Sequence, residues 1–146
     1  FTRMSDVKKV FQVNYFAQLQ ITQALLGCMV KDGESSILNA ASIAGIDGDM
    51  GNSVYGATKA SMILFTKVLS KELVASKIRV NAIAPGLTNT AFATAMGDKA
   101  KASMEDISIM QRLATPQEIA NVYYFLATNE SSFINGQIIR VDGGLK

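Results

Sequence analysis

Apolar positions along this chain follow two patterns, a helical stripe and short near-continuous runs, and the two alternate. Val7, Val10, Phe11, Ile21 and Leu25 recur at helical spacing, and Ser5 stands where it can cap a first helix. Ser35 to Ala41 reads as a strand, followed by a loop punctuated by Gly45, Gly48 and Gly51. Val54 to Leu73 returns to helical spacing. Ile78 to Ala84 is a second, branched-rich run that stops at Pro85-Gly86. From Leu87 to Arg112 the pattern is irregular or weakly helical and carries Met96, Met104 and Met110, a segment that could serve as a mobile lid or a loosely packed surface element. Thr115-Pro116-Gln117-Glu118 reads as a capping box with proline at the first helical position, opening a helix to about Thr128. Gln137 to Val141 is a last short strand, closed by Asp142-Gly143-Gly144.

Helices alternating with short apolar strands predict an α/β fold with a parallel sheet covered on both faces. Three strands are few for such a sheet, and an open parallel edge invites aggregation. The pattern therefore predicts a single partial domain over 1–146, truncated at its N-terminal side.

Composition narrows the chemistry. The 146 residues are 49% hydrophobic with a net charge of +2, and they contain no histidine. Without histidine there is no Ser-His-Asp or Cys-His catalysis and no histidine-ligated zinc, and no metal site is expected. The charges are interspersed and no basic stripe carries aromatics, so nucleic acid is not an expected partner. No apolar run reaches membrane-spanning length and no secretory signal pattern is present. The single Cys28 fits a reducing cytoplasm, where it reads as core packing.

Four polar residues remain. Tyr55 and Lys59 are four apart on one helix, hence on one face. Free tyrosine titrates near 10. An ammonium ~4 Å away at an effective dielectric of ~20 favours a phenolate by about 4 kcal/mol, enough to bring proton exchange into reach at neutral pH. Taken alone, a solvated helix pair explains this spacing equally well. Ser42, 13 residues before Tyr55, can hold a carbonyl oxygen by a hydrogen bond or simply cap a turn. Asn39 and Ser53 read as turn or backbone-bonding residues. Asn14 sits on the apolar stripe, where a buried amide must find a partner: a neighbouring main chain, or a water relaying protons from Lys59. Pro85-Gly86 ends a strand, where open α/β sheets bind ligands, and Thr88 and Thr90 follow it. These two threonines could bond a carboxamide or do ordinary turn chemistry.

Together these residues resemble the short-chain dehydrogenase/reductase family, of the compact 3-oxoacyl-acyl-carrier-protein reductase type. Five segments carry the resemblance: Val13-Asn14-Tyr15, Asn39-Ala40-Ala41-Ser42 with Gly45, Tyr55-Gly56-Ala57-Thr58-Lys59-Ala60, Arg79 to Gly86 with Thr90, and Gly136 with Val141 to Gly144. The resemblance implies the C-terminal part of a Rossmann-like doubly wound sheet. It also implies NAD(P)-linked interconversion of a ketone and a secondary alcohol, with NADPH favoured and a 3-oxoacyl thioester on an acyl-carrier protein among the substrates.

Under the resemblance, Tyr55 is the acid or base and is also, with Lys59, a cofactor-binding residue; Lys59 lowers the Tyr55 pKa and holds the nicotinamide ribose, Ser42 orients the substrate oxygen, and Asn14 completes a proton relay. Pro85, Gly86, Thr88 and Thr90 line the nicotinamide. A homotetramer would pair the helices of Asn14 and Tyr55, with Gly56, Ala57, Ala60 and Ser61 allowing close packing. The family's Gly-rich phosphate loop does not occur in these residues, and three strand–helix units at ~30 residues each put about 90 to 100 residues upstream. Thr88 stands where the family more often has an aliphatic residue. Two other readings compete: a non-catalytic remnant acting as an interaction or scaffold protein, and a Ser42–Lys59 hydrolase, which lacks the G-x-S-x-G surround.

Overall fold

The structure, a computed structural model, describes residues 2–29, 34–48, 50–91, 102 and 105–145. Three parallel strands form one sheet: β1 (Ser36–Ala40), β2 (Arg79–Pro85) and β3 (Ile138–Val141), in the order β1-β2-β3. The register pairs Ala40 with Ile83 and Pro85 with Val141, so the C-terminal ends of all three strands finish side by side. Each strand lies within one residue of its sequence expectation at either end. The central strand is the core, with Val80, Ala82, Ile83 and Ala84 fully buried.

Both faces are covered. Helix α3 (Ser53–Glu72) packs Ile63 toward Ala82 and Ala84, and its Thr66 accepts from buried Asn39 Nδ2 at 2.9 Å. Asn39 is thus a core side-chain pair within β1 and not the turn residue the sequence suggested. The opposite face meets α4 (Pro116–Ala127), whose Leu126 carbonyl receives Ser36 Oγ and Arg79 Nη2. The capping box at Thr115 is present, and Arg112 forks onto Glu118 to strengthen it, holding that carboxyl down at about 2.

The first helix departs most from its expectation. It runs as α1 (Met4–Phe11), a π-helical segment (Gln12–Phe16) and α2 (Ala17–Leu26) without a break. Arg3, not Ser5, occupies the cap position, and no side chain caps it. A π turn inserts an extra residue and rotates everything after it by about 100°. The packed face therefore passes from Val7, Val10 and Phe11 to Tyr15, Leu19, Thr22 and Leu26, one residue later than a regular helix would give. Ile21 and Leu25, expected on the stripe, are consequently exposed. Cys28 lies in the turn beyond α2 and is exposed too, so it is not core packing. Of the methionine-bearing segment, Met96 and Met104 lie outside the described residues, and Met110 is exposed.

Arg79 is the most consequential polar residue of the core. Its guanidinium is buried with no carboxylate partner among the described residues and donates to Ser131 Oγ, Leu126 O and Thr128 O at 3.1, 3.1 and 3.2 Å, reaching carbonyls at the end of α4. A cation there also meets the negative end of the helix dipole. Leu126 O and Thr128 O keep Ser131 Oγ as a donor, so Arg79→Ala acts by removing the charged hydrogen bonds, worth about 1.5–3 kcal/mol each, and by leaving a cavity; a loss of about 3 kcal/mol in urea unfolding is expected. A loss below about 1 kcal/mol would show that water replaces the guanidinium.

Candidate active site

The parallel register delivers Ser42, two residues past the end of β1, beside the end of β2, where Ala41 N donates to Ile83 O at 2.8 Å. Ser42 is extended (φ −165°, ψ 154°) and caps a 3-10 turn (Ile43–Gly45), its Oγ accepting from Ala44 N at 3.2 Å. Acting as acceptor there, the hydroxyl keeps its own hydrogen to donate elsewhere.

Two glycines press this turn onto α3. A Cβ on Gly45 would stand 2.7 Å from Ala60 N and Lys59 C, and one on Gly56 2.8 Å from Ala44 O. Only hydrogen fits at either place, so the turn after Ser42 lies directly on the helix face that carries Tyr55 and Lys59. Gly56, assigned by resemblance to contact between subunits, is thus engaged within the chain. Ala57 and Ala60 are exposed.

Lys59 Nζ donates to Ala40 O at 2.9 Å and stands 5.7 Å from the centroid of the Tyr55 ring, within cation–π range. The Ala40 carbonyl draws the ammonium to the end of β1, over the ring. Burial lowers the Lys59 pKa from its ordinary value. The Tyr55 side chain is 39% exposed, open to an incoming ligand.

Asn14 falls within the π segment and faces the same helix. Its Nδ2 donates to Thr58 Oγ1 at 3.3 Å, and that hydroxyl, fully buried, donates to Tyr55 O at 2.7 Å. This partner is a side chain and not the neighbouring main chain that one of the two sequence readings offered. The Tyr15 and Phe65 rings meet in a T-shaped pair, centroids 6.2 Å apart, that joins the two helices. The structure therefore gathers Ser42, Tyr55, Lys59 and Asn14 around one stretch of α3.

The end of β2 forms the other side. Gly86 N donates to Val141 O at 3.0 Å, and a Cβ on Gly86 would stand 2.7 Å from Asp142 Cα. Thr88 Oγ1 donates to Gly86 O at 3.3 Å, which is turn chemistry, while its backbone bridges to Ala114. Thr90 follows, exposed. Two features went unread in the sequence. Thr58 was visible beside Lys59 as a hydroxyl on the helix, but nothing pointed it at Asn14. The pairing of Arg140 with Asp47, 93 residues apart, leaves no local signal.

This arrangement has known counterparts. A family model described as enoyl-(acyl carrier protein) reductase matches residues 2–146. The chain belongs to the short-chain dehydrogenase/reductase family. Among curated proteins of this kind, the 3-oxoacyl-(acyl-carrier-protein) reductase FabG of Thermotoga maritima is 39% identical over 140 residues, covering 96% of this chain and 57% of that protein. A solved 3-oxoacyl-(acyl-carrier protein) reductase from Brucella melitensis superposes with a TM-score of 0.93 at 35% identity, covering 99% of this chain and 54% of that one. L-sorbose reductase from Gluconobacter frateurii, solved with NADPH and L-sorbose, gives 0.92 at 27% identity, covering 99% of this chain and 59% of that one. The chain thus spans little more than half the length of these short-chain dehydrogenase/reductase relatives, and its parallel sheet with helices on both faces is theirs.

Proposed function

We propose that these 146 residues are the catalytic portion of an NAD(P)-linked oxidoreductase that interconverts a ketone and a secondary alcohol. The observation that carries this reading is the meeting of the Ser42 turn with the Tyr55–Lys59 face of α3 at the C-terminal ends of parallel strands, where ligands of open α/β sheets bind. The Ser42 hydroxyl holds the substrate oxygen. Tyr55 gives that oxygen a proton in reduction and takes it back in oxidation. Lys59, charged and over the Tyr55 ring, favours the phenolate that forms. Asn14, anchored at Thr58, closes the far end of the proton relay.

The chain's own residues fit the nicotinamide end of a dinucleotide. Lys59 spends one N–H on Ala40 O and keeps two for ribose hydroxyls, while Thr88, donating to Gly86 O, keeps acceptor capacity for an amide. Pro85, Gly86 and Thr90 complete that side. The dinucleotide, when bound, supplies or takes up the hydride. NADPH is favoured, supported by its presence with the sorbose reductase. The 146 residues hold no G-x-G-x-x-G segment, so the pyrophosphate is not assigned to any of them.

The names of the relatives support a 3-oxoacyl thioester as substrate. The family model's description names an enoyl reductase instead, but the resemblance implies a longer Tyr-to-Lys spacing for the enoyl-reductase variant than the four residues of Tyr55–Lys59. Exposed Val13, Phe16 and Leu64 on the Asn14 and Tyr55 helices support pairing with a second copy. The test of substrate class is a parallel assay of the natural protein with NADPH and either a 3-oxoacyl or a 2-enoyl thioester. Turnover of the ketone alone is expected; turnover of the enoyl thioester alone would reassign the chemistry to double-bond reduction.

A further inference from the structure

Arg140, on β3, uses its whole fork. Nη1 and Nη2 donate to Asp47 Oδ1 and Oδ2 at 2.8 and 2.7 Å, and Nε donates to Asp142 Oδ2 at 2.9 Å. Asp47 stands two residues beyond the 3-10 turn that Ser42 caps. Asp142 is nearly buried, accepts from Gly144 N at 3.0 Å through Oδ1, and is the residue against which Gly86 packs without room for a Cβ. One guanidinium thereby joins the turn of the substrate-oxygen side to the loop of the nicotinamide side.

We propose that Arg140 is a positioning residue that sets the spacing between Ser42 and Pro85-Gly86. This rests on the reductase reading above. The planar fork is what the role needs: two parallel bonds fix the angle of Asp47 while the third nitrogen fixes Asp142, which a lysine point charge cannot reproduce. Arg140 and Asp47 are about 40% exposed, so their contribution to stability is small and the variants should fold. A misplacement of about 1 Å at a site that aligns two reactants costs up to about 100-fold in rate, however, so the effect belongs in catalysis.

The experiment compares Arg140→Met, Arg140→Lys, Asp47→Asn and the double variant Asp47→Asn/Arg140→Met in the natural protein, reading two quantities. The first is hydrogen exchange at the amides of Gly45, Ile46 and Asp47, which donate to Ser42 O, Ile43 O and Ile43 O. All four variants are expected to exchange there about tenfold faster than wild type. The second is kcat/KM with the ketone, expected to fall about 10- to 100-fold in each single variant, lysine included, and no further in the double. Unchanged exchange would overturn the clamp. Faster exchange with kcat/KM within about twofold of wild type, or losses that multiply in the double variant, would overturn the positioning role. A wild-type protein that reduces no ketone would fail the reductase reading instead, and the exchange result would still decide whether Arg140 holds the turn.

Discussion

Tyr55→Phe is expected to lower ketone reduction by about 10²–10⁴-fold, the range a positioned general acid supplies. The substitution removes one oxygen and leaves the ring, over which the Lys59 ammonium stands 5.7 Å from the centroid. Packing changes little because the side chain is already 39% exposed. The loss should therefore appear in kcat, with cofactor affinity, read by fluorescence titration, staying within about threefold, since nothing in the holding of the nicotinamide end needs the phenol proton. Turnover at the wild-type rate would remove Tyr55 from the mechanism. An equal fall in affinity and rate would make it a binding residue.

Lys59→Met should cost about 10²–10³-fold in kcat, the scale of losing one preorganised electrostatic donor. It removes both the cation over the ring and the N–H that reaches Ala40 O. The pH dependence follows from burial, which lowers the Lys59 pKa below 10.5. The ammonium is then lost from the folded protein before it would be lost from an unfolded chain. In rate, the wild-type profile should bend down on its alkaline limb below pH 10.5, and Lys59→Arg should move that limb upward.

In stability the sign is opposite. Between the lowered pKa and 10.5 the unfolded chain binds more protons, so the Lys59 contribution to stability rises with pH across that window, and its desolvation cost is full below it. Urea unfolding of wild type and Lys59→Met at neutral and alkaline pH measures this. The difference between them should shift toward wild type as pH rises, and a shift the other way would contradict a desolvated ammonium.

The strands and α4 were legible because local chemistry determines them. Ile78 to Ala84 reads as a strand from its branched residues and its stop at Pro85-Gly86, although the partners that let its Arg79 and Asn81 be buried lie 47 and 53 residues away. Thr115 to Glu118 is self-sufficient, its cap bonds lying within four residues. The π turn at Asn14 was not legible. A one-residue insertion in hydrogen bonding leaves composition and stripe unchanged, and shows only when Ile21 and Leu25 face water in place of Leu19 and Leu26.

At the site, the four-residue spacing of Tyr55 and Lys59 foretold a shared helix face, but not that Ala40 would draw the ammonium over the ring. The partners of Asn39, Asn14 and Asp47 lie 27, 44 and 93 residues away, where sequence spacing carries no information. These are packing decisions, made by which helix lies on which face of the sheet.

The most direct measurement supplies the natural protein with NADPH deuterated at the transferable position of the nicotinamide, together with a 3-oxoacyl thioester, and weighs the product. The account predicts a 3-hydroxyacyl product with a single deuterium on the carbinol carbon, formed by wild type and almost absent with Tyr55→Phe. Failure of the natural protein to form any deuterated alcohol, while remaining folded, would contradict it and leave the non-catalytic interaction reading in its place.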